Sequence, residues 1–408
     1  SLGETGVVMV TPAELFDGVV PSGDEPAPVA RLKGDLRMVQ VVAAAVQQKV
    51  RLPAETRQMR IDGVPLRLTP ARMRQARDRA RRTGRPHNAA RVTFVVDLLG
   101  ELADQLAAGL GPRLGGRDRA ELIEDLRASR DVRRELNLAW PPLTPHGVLA
   151  DLFARPDRLA AAAPHLSEAE RQLLARDREA PWTLGDVPLL DEIGALVGED
   201  DQAARAAARA AAQARAEQVE YARTVLDQLG GHAAALVTAD ELAQQFEPPT
   251  PPAISAGHAW SSSGGEFGHV VVDEAQELSP MMWRVLGRRC PSGSMTVVGD
   301  LAQAANPAAP SSWAAALEPV VPGRWRVVEL SVNYRTPAQV MDLAVRVLAA
   351  AGHAPAAGRP PTSVRTGQDP LVLTRINPRD VESLAGVVKN DDGGAGGRAA
   401  RDVCAGAR

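Results

Sequence analysis

The sequence contains almost no cysteine, lysine or aromatic residues. Cys290 and Cys404 are the only cysteines and lie far apart, which excludes a disulfide framework and zinc-ligand spacing and indicates a reducing, cytoplasmic environment. Lys33, Lys49 and Lys389 are the only lysines, so nearly all positive charge comes from arginine. No apolar run reaches the length of a membrane span, and no signal peptide is visible, so we expect no membrane partner.

Neither positive nor negative charge is in large excess. The 408 residues carry a formal net charge of −3, which excludes an overall basic field, so any contact with nucleic acid must be local. The strongest local concentration is "RMRQARDRARRTGRP" (Arg72–Pro86), with seven arginines around one aspartate. Two interpretations stay open for it: a surface for nucleic acid or an acidic protein face, and an ordinary solvated helix face.

The length predicts two or three structural units, because one compact core rarely grows this large. In "TGVVMVTPAELF" (Thr5–Phe16) we expect a short buried strand and then a helix start with Thr11 as N-cap and Glu14 at N3. From about Arg31 to Gly230 the signals are mostly helical. The alternating "MRIDGVPLRL" (Met59–Leu68) is the exception and predicts a β-hairpin.

Helix starts are well marked in the helical region. Thr69-Pro70 and Thr144-Pro145 each place an N-cap before a proline, and Ser167 with Glu170 forms a capping-box pattern. "DVPLLDEIGALVG" (Asp186–Gly198) has apolar residues at helical spacing. A long alanine- and arginine-rich helix is expected from about residue 200 to residue 230.

Strand patterns return after a proline- and glycine-rich linker at about 246–268. "HVVVDEA", "SMTVVGD" and "WRVVELSVNYR" are apolar strands separated by a helix and a loop, and the helix "TPAQVMDLAVRVLAA" follows the third; "DPLVLTRI" adds one more expected strand. Continuous apolar strands alternating with helices are typical of a parallel α/β sheet, which is the predicted fold class. The tail 389–408 has no periodicity and is expected to be disordered.

Polar groups follow each of the first three strands. The first strand ends in Asp273-Glu274-Ala275-Gln276, the second in Gly299–Gln303 with Asp300, and the third in Asn333-Tyr334-Arg335. In a parallel sheet, functional side chains gather at these carboxyl ends. Each motif alone is weak, because a strand that ends in Asp-Glu is more often a helix cap with a surface acid. Together and in this order they indicate nucleotide hydrolysis.

The series resembles motifs II, III and IV of superfamily 1 helicases of the UvrD/Rep/PcrA kind. "VVVDEAQELSPMMWR", "RRCPSGSMTVVGDLAQ", "SSWAAALEP" and "VNYRTPAQVM" are most similar to the HelD/HelR-type branch of ATPases that recycle bacterial RNA polymerase. The resemblance is specific from His269 to Met341. It implies a RecA-like P-loop NTPase sheet with a large, mostly helical insertion and the start of a second RecA-like domain.

This resemblance implies a domain order. The expected segments are the remainder of the first half of RecA-like domain 1A at 1–30, a helical insertion that engages the polymerase clamp region at 31–245, the second half of domain 1A with motifs II and III at 246–330, the start of domain 2A with motif IV at 331–388, and the tail.

The resemblance also implies roles for single residues, with ATP and Mg²⁺ as cofactors. Asp273 would hold Mg²⁺, and Glu274 would be the general base. Gln276 and Gln303 would couple the γ-phosphate to domain movement, with Asp300 as a further nucleotide-site residue. From the second domain, Tyr334 would stack on adenine and Arg335 would contact the γ-phosphate. Thr11 matches a position that touches single-stranded DNA in related enzymes.

Two departures from the family pattern shape the functional expectation. No GxxxxGK[ST] phosphate-binding loop occurs in the sequence, so we expect an internal fragment of a longer motor that is inactive alone. Position 308, where unwinding relatives have an aromatic residue, is alanine. We therefore expect a monomeric ATPase that remodels RNA polymerase core, with DNA as a further candidate partner. A UvrD-like helicase and a non-catalytic polymerase-binding module remain the alternatives.

Overall fold

The computed structural model describes residue 7 and residues 9–16, 19–114, 116–198, 267–350 and 362–366. The expected helix at about 200–230, most of the linker, the strand "DPLVLTRI" and the tail lie outside these residues. The described part is a mixed α/β protein, rich in helix, with short parallel and antiparallel strand pairs. None of its helices combines the length and the apolar character that a membrane span requires.

Helices predominate in the first half of the described chain, and short strands alternate with helices after Gly268. The α-helices are α1 (Ala27–Lys33), α2 (Met38–Gln47), α3 (Pro70–Arg82), α4 (His87–Leu110), α5 (Arg119–Ala128), α6 (Arg130–Ala139), α7 (Pro145–Phe153), α8 (Pro156–Ala162), α9 (Glu168–Leu174), α10 (Val187–Val197), α11 (Pro280–Arg289), α12 (Trp313–Leu317) and α13 (Ala338–Ala350). The strands are β1 (Arg57–Ile61), β2 (Val64–Leu68), β3 (Val270–Val272), β4 (Met295–Val297), β5 (Val332–Asn333) and β6 (Thr362–Ser363). The 3-10 helices are Pro12–Leu15, Gly111–Leu114, Leu184–Asp186, Ala275–Glu277 and Leu301–Gln303.

The chain divides into two compact units. The first takes the described residues up to Val270 together with Ser279–Ser294, and the second takes Val271–Leu278 and the described residues from Met295 onward. The helix α11 therefore belongs to the first unit, although the segments that precede and follow it belong to the second.

The predicted hairpin is confirmed. Strands β1 and β2 pair antiparallel with Ile61 opposite Val64, and the connecting residues Asp62 and Gly63 have φ angles of 49° and 80°. Two consecutive positive φ angles are typical of the tight turn that Asp-Gly favours. The inward residues of β2 pack with α3, α4, α5 and α6 in one apolar core, in which α4 supplies the largest share and Trp140 is 2% exposed.

The predicted helix starts are confirmed by their hydrogen bonds. The hydroxyl of Thr69 accepts from the N–H of Arg72, that of Thr144 from Gly147, and that of Ser167 from Glu170. Helix α10 packs on α2, α7 and α11, so these helices form a second helical layer of the first unit. Trp283 and Cys290 are buried beside it, as expected for core residues.

Buried ion pairs join α10 to α11. The carboxylate of Glu192, 3% exposed, accepts from Arg284 Nε and Nη2 at 2.8 and 3.1 Å and also from Arg288. Asp191 accepts from Arg288 and Arg289. Burial acts to raise the pKa of Glu192, but the guanidinium groups of Arg284 and Arg288 outweigh it, so this pKa is lowered.

Two strand predictions are wrong in the described residues. The predicted strand near Val10 is absent at Val7, Met9 and Val10, and only its helix start, the 3-10 helix with Thr11 as N-cap, forms. Of "WRVVELSVNYR", only Val332–Asn333 is a strand. The apolar side chains of both segments are largely exposed. Apart from the short β5, which pairs with β6, no described strand pairs with these stretches, so the rest of their backbone lacks the hydrogen bonds that define a sheet.

Candidate functional site

The ends of β3 and β4 lie side by side in the second unit. The N–H of Val298 donates to the carbonyl of Val272 at 2.8 Å, and the N–H of Ala275 donates to the carbonyl of Val298 at 3.0 Å. In the first unit, the N–H of Val270 donates to the carbonyl of Ser294. The partner residue number rises along both strands, which is the pattern of a parallel pair. Two of the three predicted strand ends are thus brought together.

Gln276 connects these two strand ends. Its side chain is 2% exposed, its Nε2 donates to Glu274 Oε2 at 2.6 Å, and its Oε1 accepts from the N–H of Asp300 at 3.0 Å. On the far side, Gln303 Nε2 donates to Asp300 Oδ2 at 2.9 Å. Four predicted site residues therefore form one chain of hydrogen bonds, which we call the strand-end network: Glu274, Gln276, Asp300 and Gln303.

Glu274 has an unusual backbone conformation. Its φ and ψ angles are 49° and 40°, in the left-handed region that non-glycine residues seldom adopt. Its N–H donates to Asp273 Oδ1 at 3.0 Å, so the preceding carboxylate supports the turn. Such a conformation costs on the order of 1 kcal/mol and persists where surrounding contacts hold it, which is common at functional sites.

Gly299 is required by a close approach. A Cβ atom at this position would collide with Gln276 Oε1 and lie 3.0 Å from Trp313 Cη2 and 3.1 Å from the backbone nitrogen of Ala275. The indole ring of Trp313 therefore packs beside the backbone that carries the strand-end network. Only a residue without a side chain allows the two strand ends to come this close.

Glu277 is a site residue that the motif series did not single out. Its carboxylate accepts from the N–H groups of Ala305 and Asn306 at 2.7 and 2.8 Å, and its carbonyl accepts from Asn306 Nδ2 at 2.6 Å. Glu277 thus holds the loop that follows Gln303. The sequence signal was its place in the same short turn as Gln276, but its partners lie almost thirty residues away along the chain.

The third predicted strand end belongs to a different strand pair. Strand β5 pairs in parallel with β6, and Asn333 Oδ1 accepts from the N–H groups of Arg335 and Thr336, both at 3.0 Å. The side chain of Tyr334 is 77% exposed at the end of this strand. Among the described residues, β3–β4 and β5–β6 are separate two-stranded sheets, so the predicted single parallel sheet is not formed there.

Thr11 lies in the first unit, where it serves as an N-cap. The Glu14 carboxylate accepts from the Thr11 N–H at 2.7 Å and from its hydroxyl at 2.9 Å. These two hydrogen bonds lower the pKa of Glu14, the backbone one more strongly. The polar groups of Thr11 are thereby engaged within the turn.

The carboxylate of Asp273 suits a cation that is held mainly by water. It is exposed at the strand end, and its Oδ1 accepts the hydrogen bond from the N–H of Glu274. Mg²⁺ at nucleotide sites keeps several waters and uses one or two protein carboxylates together with the phosphates. Within the described ranges no three His, Cys, Asp or Glu side chains form a group that could hold a metal ion.

No protein family model matches this chain, and no curated protein matches it.

Proposed function

We propose that this protein acts in an ATP-dependent motor of the superfamily 1 helicase type, which hydrolyses ATP to remodel or recycle bacterial RNA polymerase. The observation that carries the proposal is the double hydrogen bond of Gln276, which ties Glu274 to Asp300 across two neighbouring strand ends. Because this buried amide is bonded to both groups, a shift of the Glu274 carboxylate would displace the backbone N–H of Asp300 on the next strand. Hydrolysis motors need such a link between a reacting group and a moving element.

Each residue of the site takes a role that its chemistry allows. Glu274 accepts the proton of the attacking water, and Asp273 holds the cation. When bound, MgATP would supply the electrophilic γ-phosphorus, and the metal would partly neutralise the negative charge of the phosphate oxygens. Gln303, oriented by Asp300, lies at the second strand end and hydrogen-bonds the γ-phosphate oxygens.

The second strand pair completes the proposed nucleotide site. Arg335 neutralises charge that develops on the transferred phosphate, and Tyr334 stacks on adenine. In this proposal the β3–α11–β4 segment belongs to one RecA-like domain and β5–α13 to the next, so that binding and hydrolysis close and reopen the pair.

The test of the base is the substitution Glu274→Gln in the complete gene product. We expect ATP turnover to fall by at least about 100-fold, because a neutral amide cannot accept the proton, while ATP binding is retained. Glu329→Gln makes the same change of charge at an exposed carboxylate of the second unit and should leave turnover intact. Wild-type turnover in Glu274→Gln would refute the assignment.

The 408-residue chain itself provides a second check. It contains no GxxxxGK[ST] sequence, so it lacks the backbone cradle and the lysine that bind the β- and γ-phosphates. We expect no ATP hydrolysis by the purified chain. If the purified chain hydrolysed ATP in a Glu274-dependent way, the phosphates would have to bind without a GxxxxGK[ST] loop, and the proposed mode of phosphate binding would be wrong.

Three observations support polymerase rather than a DNA strand as the object of the motor. Ala308, where unwinding enzymes of this type are expected to carry an aromatic residue, donates its N–H to Asn306 in a small loop. The nearby Trp313 is packed against Gly299 and is not displayed as a platform for bases. The many helices of the first unit offer a module large enough to act on a partner protein.

Binding to RNA polymerase core and strand unwinding separate the candidate functions. We expect retention of polymerase core on the immobilised protein and no unwinding of a tailed duplex in the presence of ATP. Robust unwinding without polymerase binding would favour a UvrD-like helicase. Polymerase binding by the complete gene product, together with no ATP hydrolysis by that same complete protein, would favour a non-catalytic module.

A further inference from the structure

The arginine-rich segment Arg72–Pro86 separates in the structure into paired and unpaired side chains. Arg79 pairs with Asp97 of α4 at 2.6 Å, Arg77 with Asp78 at 2.8 Å, and Arg72 approaches Glu101 of α4 at 3.8 Å. Within the described part of the chain, four further arginines have no ion-pair partner and are exposed; they are Arg74, Arg81, Arg82 and Arg85. We call these four the arginine ridge.

The ridge lies on the side of α3 that faces away from the core. Met73, Ala76 and Ala80 are buried against the rest of the first unit, which fixes the opposite face toward solvent. Arg74 and Arg81 are seven residues apart, so they lie about 10 Å apart along one side of the helix, two turns from each other. Arg82 stands next to Arg81 in the last turn, and Arg85 follows the helix end.

Helix geometry and local charge make this a site of positive potential. The last turn of a helix favours cations, and the exposed carboxylate on this face, Asp78, is already paired with Arg77. The positive charge is felt nearby: burial lowers the pKa of His87 at the start of α4, and the charges of Arg91 and Arg81 lower it further.

The ridge lacks the features of a protein-binding surface. The stretch 69–86 exposes no large apolar side chain, whereas protein interfaces bury an apolar or aromatic centre. It also contains no aromatic residue on which unstacked bases could lie, as single-strand binders require. What it offers is guanidinium groups, which bind phosphate oxygens through paired N–H donors.

We infer that the arginine ridge of α3 binds the phosphodiester backbone of a nucleic-acid duplex without reading its base sequence. Along about 10 Å of its axis a duplex presents about six phosphate charges, enough to engage all four guanidinium groups. This contact does not depend on the proposed ATPase site, which lies in the other unit.

The salt dependence of binding provides a quantitative test. Binding of the 408-residue chain to a labelled duplex of arbitrary sequence is measured by fluorescence anisotropy without nucleotide. Four phosphate contacts predict a slope of about −3.6 for log K against log salt, which is a loss of about 100-fold in affinity between about 50 and about 200 mM salt. Absence of duplex binding at the lowest salt would overturn the inference.

The variants identify the side chains. Each single substitution Arg74→Gln, Arg81→Gln, Arg82→Gln or Arg85→Gln should reduce the slope by about 0.9, and the fourfold variant should remove nearly all of it. Gln is a good helix former, so circular dichroism should show unchanged helix content. Arg79→Gln is the matched control on the same helix, because its guanidinium is already held by Asp97, and should leave the slope unchanged. Equal slopes in the fourfold variant and the wild type would overturn the assignment to this ridge.

Competitors distinguish the source of the anion. Duplex DNA and duplex RNA should both displace the probe, since the recognised group is their shared backbone, and single-stranded DNA should compete less well. If polyglutamate competed as well as duplex at equal charge, the ridge would be a surface for acidic proteins and the inference would fail. A failed Glu274→Gln test would leave these results unaffected.

Discussion

Glu274 combines a structural cost with the chemical role that we propose for it. Its left-handed backbone turns the chain sharply after β3, so that its carboxylate meets the amide of Gln276 in the same turn. Glycine would adopt this conformation without strain but has no carboxylate. A residue that keeps a strained backbone in order to present a charged group is the arrangement expected at a reacting site.

Comparison of Glu274→Gly with Glu274→Ala measures this strain. Both variants lose the carboxylate, but the positive φ angle strains the backbone of alanine and does not strain that of glycine. We expect the glycine variant to have a free energy of unfolding about 1 kcal/mol higher than the alanine variant, measured by urea denaturation.

Glu277 is the control position for this comparison. It lies in the same 3-10 turn without a positive φ angle, and both substitutions remove its contacts to Ala305 and Asn306. Here the glycine variant should be the less stable one, because glycine loses more conformational freedom on folding. The same order of stabilities at both positions would contradict the proposed strain at Glu274.

At the scale of elements, α11 is held within the first unit by its side chains and its backbone. It begins shortly after Glu277 and leads back to β4, while its side chains are held by α10 through Asp191 and Glu192. Its N-terminal backbone is also fixed, since the N–H of Met281 donates to the carbonyl of Gly34 at 3.0 Å. Helix α11 is therefore anchored within the first unit at its side chains and at its N-terminal backbone.

The substitution Glu192→Gln tests how strongly this anchor depends on charge. Removing one partner leaves Arg284 and Arg288 against a buried neutral amide, so we expect a loss of about 2 kcal/mol in the free energy of unfolding of the first unit. Urea denaturation followed by circular dichroism measures it.

The exposed ion pair between Asp104 and Arg119 provides the contrast for this element. Its atoms are 2.9 Å apart but both side chains are mostly in water, where such pairs contribute little. Asp104→Asn should therefore leave stability nearly unchanged. Equal effects of Asp104→Asn and Glu192→Gln would show that the α10–α11 pairs do not anchor the helix.

At the scale of the whole molecule, buried titratable groups determine how stability varies with pH. Burial lowers the pKa of His87, which is 7% exposed, and that of the half-buried His146. In the folded state both imidazoles therefore stay neutral at pH values at which the same imidazoles are already protonated in the unfolded chain. Stability from these groups is complete above pH 6.5, their usual pKa, and is lost as the pH falls below that value.

We expect the free energy of unfolding to fall between about pH 7.5 and about pH 5.5, with a larger contribution from the buried His87 than from the half-buried His146, which water screens. A further loss should follow below about pH 4.5, when Glu192 is protonated and its ion pairs weaken. Urea denaturation at a series of pH values gives the profile. In the double variant H87N/H146N the upper of the two steps should disappear, and its persistence would exclude these histidines as its cause.

Local signals in the sequence determined the turns and helix starts of this protein. The Asp62-Gly63 hairpin and the Ser167–Glu170 capping box form as predicted, because all the interacting atoms lie within a few residues of one another. The residues at the ends of β3 and β4 were likewise recognisable from the sequence, since each follows directly on an apolar strand. Their roles in ATP hydrolysis stay a prediction.

Only the tertiary structure decided which of these segments meet. Whether Val327–Leu330 forms a strand depends on a neighbour to pair with, and the clamp of Glu277 on Asn306 depends on the approach of two strand ends. The same holds for the ridge: the sequence shows seven arginines, and the packing of α3 on α4 determines that Arg72 and Arg79 find an acid. Such contacts join residues distant in sequence, and no local propensity encodes them.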